Sequence, residues 1–307
     1  MSLLRFASSR AASLAALMAL ALATGCDTTS TFEHEPEVVV EAYLLAGERL
    51  PQVRISRSTS IKEIYDFTER AISDATVRIL LLAADGSTEA VYDYFILEQE
   101  PGVYRPSDVV LVESERTYRL EVVVPGEPAP VTATTIVPGD FELVAVNADT
   151  IVYQGGSQLE LDVTRSVYPG RQSIYVFTTE SLTPTADLLT PFYRDVAGDN
   201  EEDIGNLQVT NSPLINEGNY DINPDGTLTI RLPWIAVAFY GQNRLTASAL
   251  DDNLYDFFRS QSVQQGGSTL SPGEIPNVIE HVEGGAGVFG SYARSSFVVT
   301  IVPQSAP

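Results

Sequence analysis

Three glycines near the end of the chain, Gly285, Gly287 and Gly290 in the run HVEGGAGVFGSYARSSFVVTI, satisfy the spacing G-x-G-x-x-G of a dinucleotide-binding loop. That chemistry needs a strand before the loop, a helix opening its amides onto a pyrophosphate, and an acid about twenty residues later on a second strand. Here the residues after Gly290 alternate like a strand, and no acid follows Glu283. The glycines therefore read as a glycine-rich turn, or a bulged strand start, where backbone approaches backbone. Asp221, Asn223 and Asp225, in Asp221-Ile-Asn-Pro-Asp-Gly226, match the first half of a calcium loop, but its twelfth position, where a bidentate acid belongs, is Leu232. The same residues spell a hairpin turn, with Pro224 presetting φ and Gly226 taking the left-handed position. Calcium is the weaker of the two readings.

The inventory for other chemistry is thin. The two histidines, His34 and His281, lie at opposite ends of the chain and make no pair at metal-ligand spacing. No G-x-S-x-G nucleophile motif occurs. Acids abound, but a two-carboxylate hydrolase is defined by the separation of its acids in space, which spacing in sequence does not give. The expectation is a protein without catalytic residues and without a cofactor. Cys26 is the only cysteine. It closes Leu22-Ala-Thr-Gly25-Cys26, directly after an apolar run, Ala11 to Ala23, preceded by Arg5 and Arg10. The run is right for a signal-peptide core and too short to span a bilayer. Small residues before a cysteine at this place resemble a bacterial lipobox, in which the sulfur is diacylated (palmitate is the usual acid), the chain is cut between Gly25 and Cys26, and the new amine is acylated. The alternative is ordinary secretion with an incidental thiol.

Two acyl chains hold a protein durably on a membrane where one does not. No later segment approaches the length of a spanning helix. A lone cysteine excludes an internal disulfide, so stability comes from buried area. Removing 25 residues from 307 leaves 282, enough for one large or two medium domains. Lys+Arg number 18 against 41 Asp+Glu, a net charge of −23, and Lys62 is the only lysine. Such a chain repels nucleic acid and anionic lipid surfaces. Its acidity suits concentrated salt, and a halophilic or salt-tolerant source is expected.

The elements that must position these residues read mostly as strands. Residues 26–36 form a polar, lipidated tether. From Val38 the apolar residues alternate with period two: Val38 to Leu45, Val53 to Ser56, Ala75 to Leu81, Val91 to Leu97, Thr117 to Val124 and Val131 to Val137, separated by turn residues such as Asp85-Gly86 and Pro125-Gly126. Six or seven such strands in about 100 residues describe an immunoglobulin-like β-sandwich over residues 37–138. Within it Ile61 to Ile72 is either a helical turn or a long loop at one end. Pro138-Gly139 marks the boundary to a second β-rich, sandwich-like domain, residues 139–307. Leu159 to Val163, Ser173 to Thr179, Gly226 to Leu232 and Phe297 to Val302 are its strands, and the acidic stretch Pro184 to Asn206 is a loop. One segment has helical spacing: Leu250, Leu254, Phe257 and Phe258 share a face, Ser248 and Asp251 spell a capping box, and Gly266-Gly267 ends it. An amphipathic helix over about 248–265 is expected, its aromatic stripe packed on the sheet. The fold class is all-β in the main.

The closing segment, Ile275-Pro-Asn277-Val-Ile-Glu-His-Val-Glu283 followed by Gly284-Gly-Ala-Gly-Val-Phe-Gly-Ser-Tyr292, resembles the last motif of the domain of unknown function 4249 family of Bacteroidota envelope lipoproteins. The opening strands from Val38 through Ser58, the run Ala71 to Ile79, and Thr117 to Val122 are similar to further strands of that family, so the resemblance spans nearly the whole mature chain. Ser114-Glu115-Arg116 departs from it, standing where the family has a Pro/Gly-type turn. The family offers no catalytic residues to carry over. What the resemblance implies is location and company: a lipid-anchored protein of the cell envelope, on the outer membrane, encoded beside TonB-dependent receptors and partnering one of them as a binding accessory. A structural or adhesion scaffold is the alternative from another class, and a carboxylate hydrolase a third. The ligand is not legible.

Overall fold

The computed structural model describes residues 34–146, 149–156, 158–197, 201–264 and 278–304. Residues 1–33, which include Gly25, Cys26 and most of the expected tether, lie outside the described residues. Seven strands build the first half: β1 (Val38–Leu45), β2 (Val53–Arg57), β3 (Thr76–Leu82), β4 (Thr88–Ile96), β5 (Val103–Pro106), β6 (Thr117–Val123) and β7 (Val131–Ile136). Their period-two pattern is a burial pattern. Val38, Val40, Ala42 and Leu44 of β1 point into one core with Val53 and Ile55 of β2, Val77, Ile79 and Leu81 of β3, and Tyr118, Leu120 and Val122 of β6. Strand β4 pairs with β3 over Thr88 to Asp93 and with β5 over Tyr94 to Ile96, which keeps the seven strands in one hydrogen-bonded order. Buried tyrosines keep a polar tip only because it is used: Tyr104 donates its hydroxyl to Ile72 O and accepts from Ala75 N, each at 2.9 Å. One helical turn, α1 (Phe67–Arg70), capped by Asp66, lies within the Ile61 to Ile72 stretch. The turn before β6 puts Glu115 at φ 58, a left-handed conformation of the kind a glycine usually supplies.

The second half places a three-stranded sheet, β14-β10-β8, over the continuing large sheet. Its strands are β8 (Leu143–Val146), β9 (Thr150–Val152), β10 (Leu159–Val163), β11 (Ile174–Ser181), β12 (Val209–Asn211), β13 (Ile215–Asn216), β14 (Leu228–Leu232) and β15 (Gly241–Leu250). Leu159, Leu161 and Val163 meet Leu228, Ile230 and Leu232 from one sheet and Tyr175, Phe177, Leu245 and Ala247 from the other, a second core. After them come β16 (Val282–Glu283) and the long β17 (Ala286–Val302). Strand β17 belongs to both halves. Its first part runs parallel to β1, from Val39↔Ala286 to Leu45↔Tyr292, and Phe289 enters the first core. Its second part runs antiparallel to β15, from Leu250↔Tyr292 to Gly241↔Ile301, and Ala293, Val299 and Ile301 enter the second. The described residues from Pro36 onward form one compact unit.

Two expectations are corrected. The amphipathic helix is α4 (Asp252–Gln264), while Ser248 to Leu250 belong to β15. Leu250 is held by its pairing with Ile174 and Tyr292, so sheet register overrides the helical spelling. The Ser248–Asp251 capping box is therefore absent, and Asp251 caps alone, its Oδ1 accepting Leu254 N at 2.8 Å. The Pro184 to Asn206 stretch holds a 3-10 turn, Ala186–Leu188, and two short helices, α2 (Pro191–Ala197) and α3 (Glu201–Asn206). Leu189 and Ile204 pack there with Ala238 and Phe239 as a satellite core, which fixes the segment instead of leaving it an open loop. Among the described residues no helix is long and apolar enough to cross a membrane.

Candidate functional site

The glycine segment is where the two halves are joined. A side chain at Gly285 would stand 2.5 Å from Val38 O, and one at Gly287, whose φ is 111, would overlap the Val40 carbonyl. The glycines let β17 enter parallel to β1 at a strand start where backbone meets backbone. At Gly290 the space that a Cβ would fill is taken by Leu254 of α4, whose Cγ lies 2.5 Å from that position. The helix thus seats its first turn on a bare stretch of β17.

That first turn carries a buried polar cluster. Asn253 Nδ2 donates to Thr134 O (2.8 Å) and Phe289 O (2.6 Å), stitching α4 to β7 and β17. Asp251, at 0% exposure, has its Oδ2 2.5 Å from Thr135 Oγ1, which lies 2.5 Å from Ser291 Oγ, which in turn donates to Ile136 O at 3.0 Å. Thr135 Oγ1 donates to Asp251 Oδ2 and Ser291 Oγ to Ile136 O, so the two hydroxyls link the buried acid to the β7 backbone. Burial pushes the Asp251 carboxyl up to about 6, against the pull of the hydrogen bonds it accepts from Thr135 and from the Leu254 and Ser291 backbone.

A raised acid has a defined pH signature. The folded state holds the proton more tightly than the unfolded chain, so this contribution is complete below about pH 4 and lost as pH rises through about 6. Its size is about 3 kcal/mol, two pH units at 1.36 kcal/mol each. Asparagine is isosteric with the neutral acid and keeps an oxygen for Leu254 N. The difference in unfolding free energy between the native chain and Asp251→Asn is expected to change by about 2 kcal/mol between pH 4 and 7. A difference independent of pH contradicts a raised Asp251 carboxyl.

Beyond β7 lies an open cleft of about 480 Å³, floored by Thr132, Ala133 and Thr134 and walled by Arg119 of β6 and by Glu280 to Glu283. Strand β16 forms its edge by pairing Val282 with Ala133 and Glu283 with Thr132. His281 Nε2 lies 2.9 Å from Asp256 Oδ2, which ties this wall to α4. Burial raises the Glu280 carboxyl, opposed by a hydrogen bond from the Gly287 amide. Two acids in a cleft, one of them shifted, is the arrangement a hydrolase would use. Here Glu280 accepts a hydrogen bond from the backbone of the glycine segment. The cleft presents a guanidinium, an imidazole, hydroxyls and carboxylates on a rigid sheet, groups able to hold a polar ligand.

The weak calcium residues are brought together only as a turn. Asn223 N donates to Thr227 O and Gly226 N to Asn223 O, with Gly226 at φ 87. Asn223 Nδ2 donates to Thr227 and Thr229, and Asp225 Oδ1 accepts both the amide and the hydroxyl of Thr227, which lower its pKa. Among the described residues no group of three His, Cys, Asp or Glu is placed to hold a metal. Gly25 and Cys26 lie outside the described residues. Sequence reasoning met Asp251 only as a cap and passed over Thr135 and Ser291, because pairing residues 116 and 156 positions apart leaves no local signal.

The family model described as "Domain of unknown function (DUF4249)" matches residues 26–297. Comparison with curated proteins gives no match. Among solved structures, trypsin-activated alpha-2-macroglobulin from Escherichia coli shares 10% identity over 71% of this chain and 15% of its own, with a TM-score of 0.20. Salmonella alpha-2-macroglobulin reacted with methylamine shares 9% over 87% of this chain and 15% of its own, with a TM-score of 0.23. The titin I-band fragment I67-I69 shares 9% over 88% of this chain and 66% of its own, at a TM-score of 0.22. The chain thus spans about 15% of the length of these two macroglobulins.

Proposed function

The chain belongs to the DUF4249 family, and from that premise we propose a non-catalytic lipoprotein of the cell envelope, anchored at Cys26 on the outer membrane, that serves a TonB-dependent receptor as a binding accessory. The anchor is supported by the basic, apolar, small-residue order of the leader ending at the sole cysteine. Binding, as against a purely structural role, is supported by one observation: the cleft beside β16, whose polar groups converge on a rigid sheet. Structural or adhesion scaffolding remains the alternative role, and a carboxylate hydrolase the other.

The test is a pull-down of the native lipoprotein from detergent-solubilised envelopes, repeated with Thr134→Arg, which fills the cleft from an exposed position. A receptor barrel is expected with the native chain and depleted at least tenfold with the variant, a loss of about 1.4 kcal/mol. Absence of any barrel favours the scaffold. Equal recovery with both chains removes the cleft from the interaction.

A further inference from the structure

We propose that the tip Ile61–Tyr65 is a lipid-contacting surface that inserts Ile61 and Ile64 into the membrane interface; this rests on the anchoring at Cys26. The two isoleucines are wholly exposed, at 101% and 97%, and Tyr65 is half exposed. Their presentation is built. Glu63 N donates to Ser60 O (2.9 Å), Thr59 Oγ1 donates to Glu63 Oε2 (2.6 Å), and Arg70 Nη2 pairs with the same oxygen at 2.5 Å. Tyr65 OH lies 3.0 Å from Ser56 Oγ. A turn braced this way holds two apolar side chains and a half-exposed tyrosine together in water, a contiguous apolar tip of the kind that marks an interaction surface.

The tether argues for lipid as the cover. The chain enters the compact unit at Pro36, and the next residue is bonded to the base of the tip: Ser58 N donates to Glu37 O and Glu37 N to Ser58 Oγ, both at 2.9 Å. Residues 26–36 reach at most about 35 Å when fully extended, which keeps this end of the unit within that distance of the acyl chains. The tip composition suits an interface, with apolar side chains, a tyrosine and the single lysine, Lys62, whose stem can lie along lipid while its ammonium meets phosphate. The full chain has a net charge of −23 while Lys62 and Glu63 cancel within the tip, so the acidic remainder is held off anionic headgroups and contact is concentrated at the tip.

The experiment uses the lipidated full chain as Ile64→Cys, treated with an environment-sensitive fluorophore and reconstituted into phosphatidylethanolamine–phosphatidylglycerol vesicles. A second variant, Ala84→Cys, labels the exposed hairpin at the far end of β3. Emission from residue 64 is expected to shift to shorter wavelength on vesicles and to be quenched by lipid-borne quenchers, with no change at residue 84. An unshifted residue 64 on protein that floats with the vesicles overturns the inference and leaves the anchoring intact. A shift that needs a receptor barrel in the vesicles, and is absent with lipid alone, overturns it in favour of a protein partner. Label found on Cys26, on protein that fails to float, overturns the anchoring and this inference together.

Discussion

Gly287→Ala is expected to lower the unfolding free energy by about 4 kcal/mol, a large share of the roughly 5–15 kcal/mol that holds a folded domain. Two costs add. At φ 111 any side chain is strained, by about 1–3 kcal/mol. The new methyl group would also overlap the Val40 carbonyl, forcing β1 and β17 apart where they pair in parallel and costing about 1–3 kcal/mol of lost hydrogen bonding. Gly47→Ala separates the two costs, because Gly47 has φ 76 and nothing within 4 Å of its added Cβ. That variant is expected to lose only about 1 kcal/mol. Urea unfolding of both chains measures the difference. Equal losses would mean that close approach of backbone is not what fixes glycine at 287.

Cys26→Ser is expected to abolish acylation altogether: palmitate incorporation falls to background and the precursor accumulates uncut before residue 26. The sulfur is needed because a thiolate forms at accessible pH and attacks carbon readily, whereas a serine hydroxyl needs an adjacent base to do so. Two acyl chains hold a protein durably on a bilayer, where a single chain gives only marginal binding. Palmitate labelling of cells producing each chain, followed by fractionation, reads both effects. Undiminished incorporation into the serine variant would place the lipid elsewhere or remove it.

Most of the β architecture was legible because its period-two residues are its buried ones, as in Val38 to Leu45 and Leu159 to Val163. The family resemblance at the opening and closing segments is borne out by the match over residues 26–297. What escaped has physical reasons. Strand β15 buries Ala247 and Ala249, too small and too helix-favouring to signal a strand, and its start, Gln242-Asn-Arg244, is polar. The sequence spells the start of the helix at 252 four residues early because Ser248 and Asp251 imitate a capping box, while the register of Leu250 in the sheet leaves no local signal. Helices α2 and α3 hid in a polar stretch, although Pro191 opens α2 at the first-turn position that favours proline. In the glycine segment, the order of residues was enough to reject a dinucleotide loop and expect a close backbone approach. The Asp251–Thr135–Ser291 chain was out of reach, since three strands and a helix must assemble before it exists.

Mass spectrometry of the N-terminal peptide of the native protein, taken from cell envelopes, tests the anchoring most directly. The account predicts a peptide that begins at Cys26, with a diacylglyceryl thioether on the sulfur and a third acyl group on the amine. A peptide that still carries the leader, with a free thiol at residue 26, contradicts it.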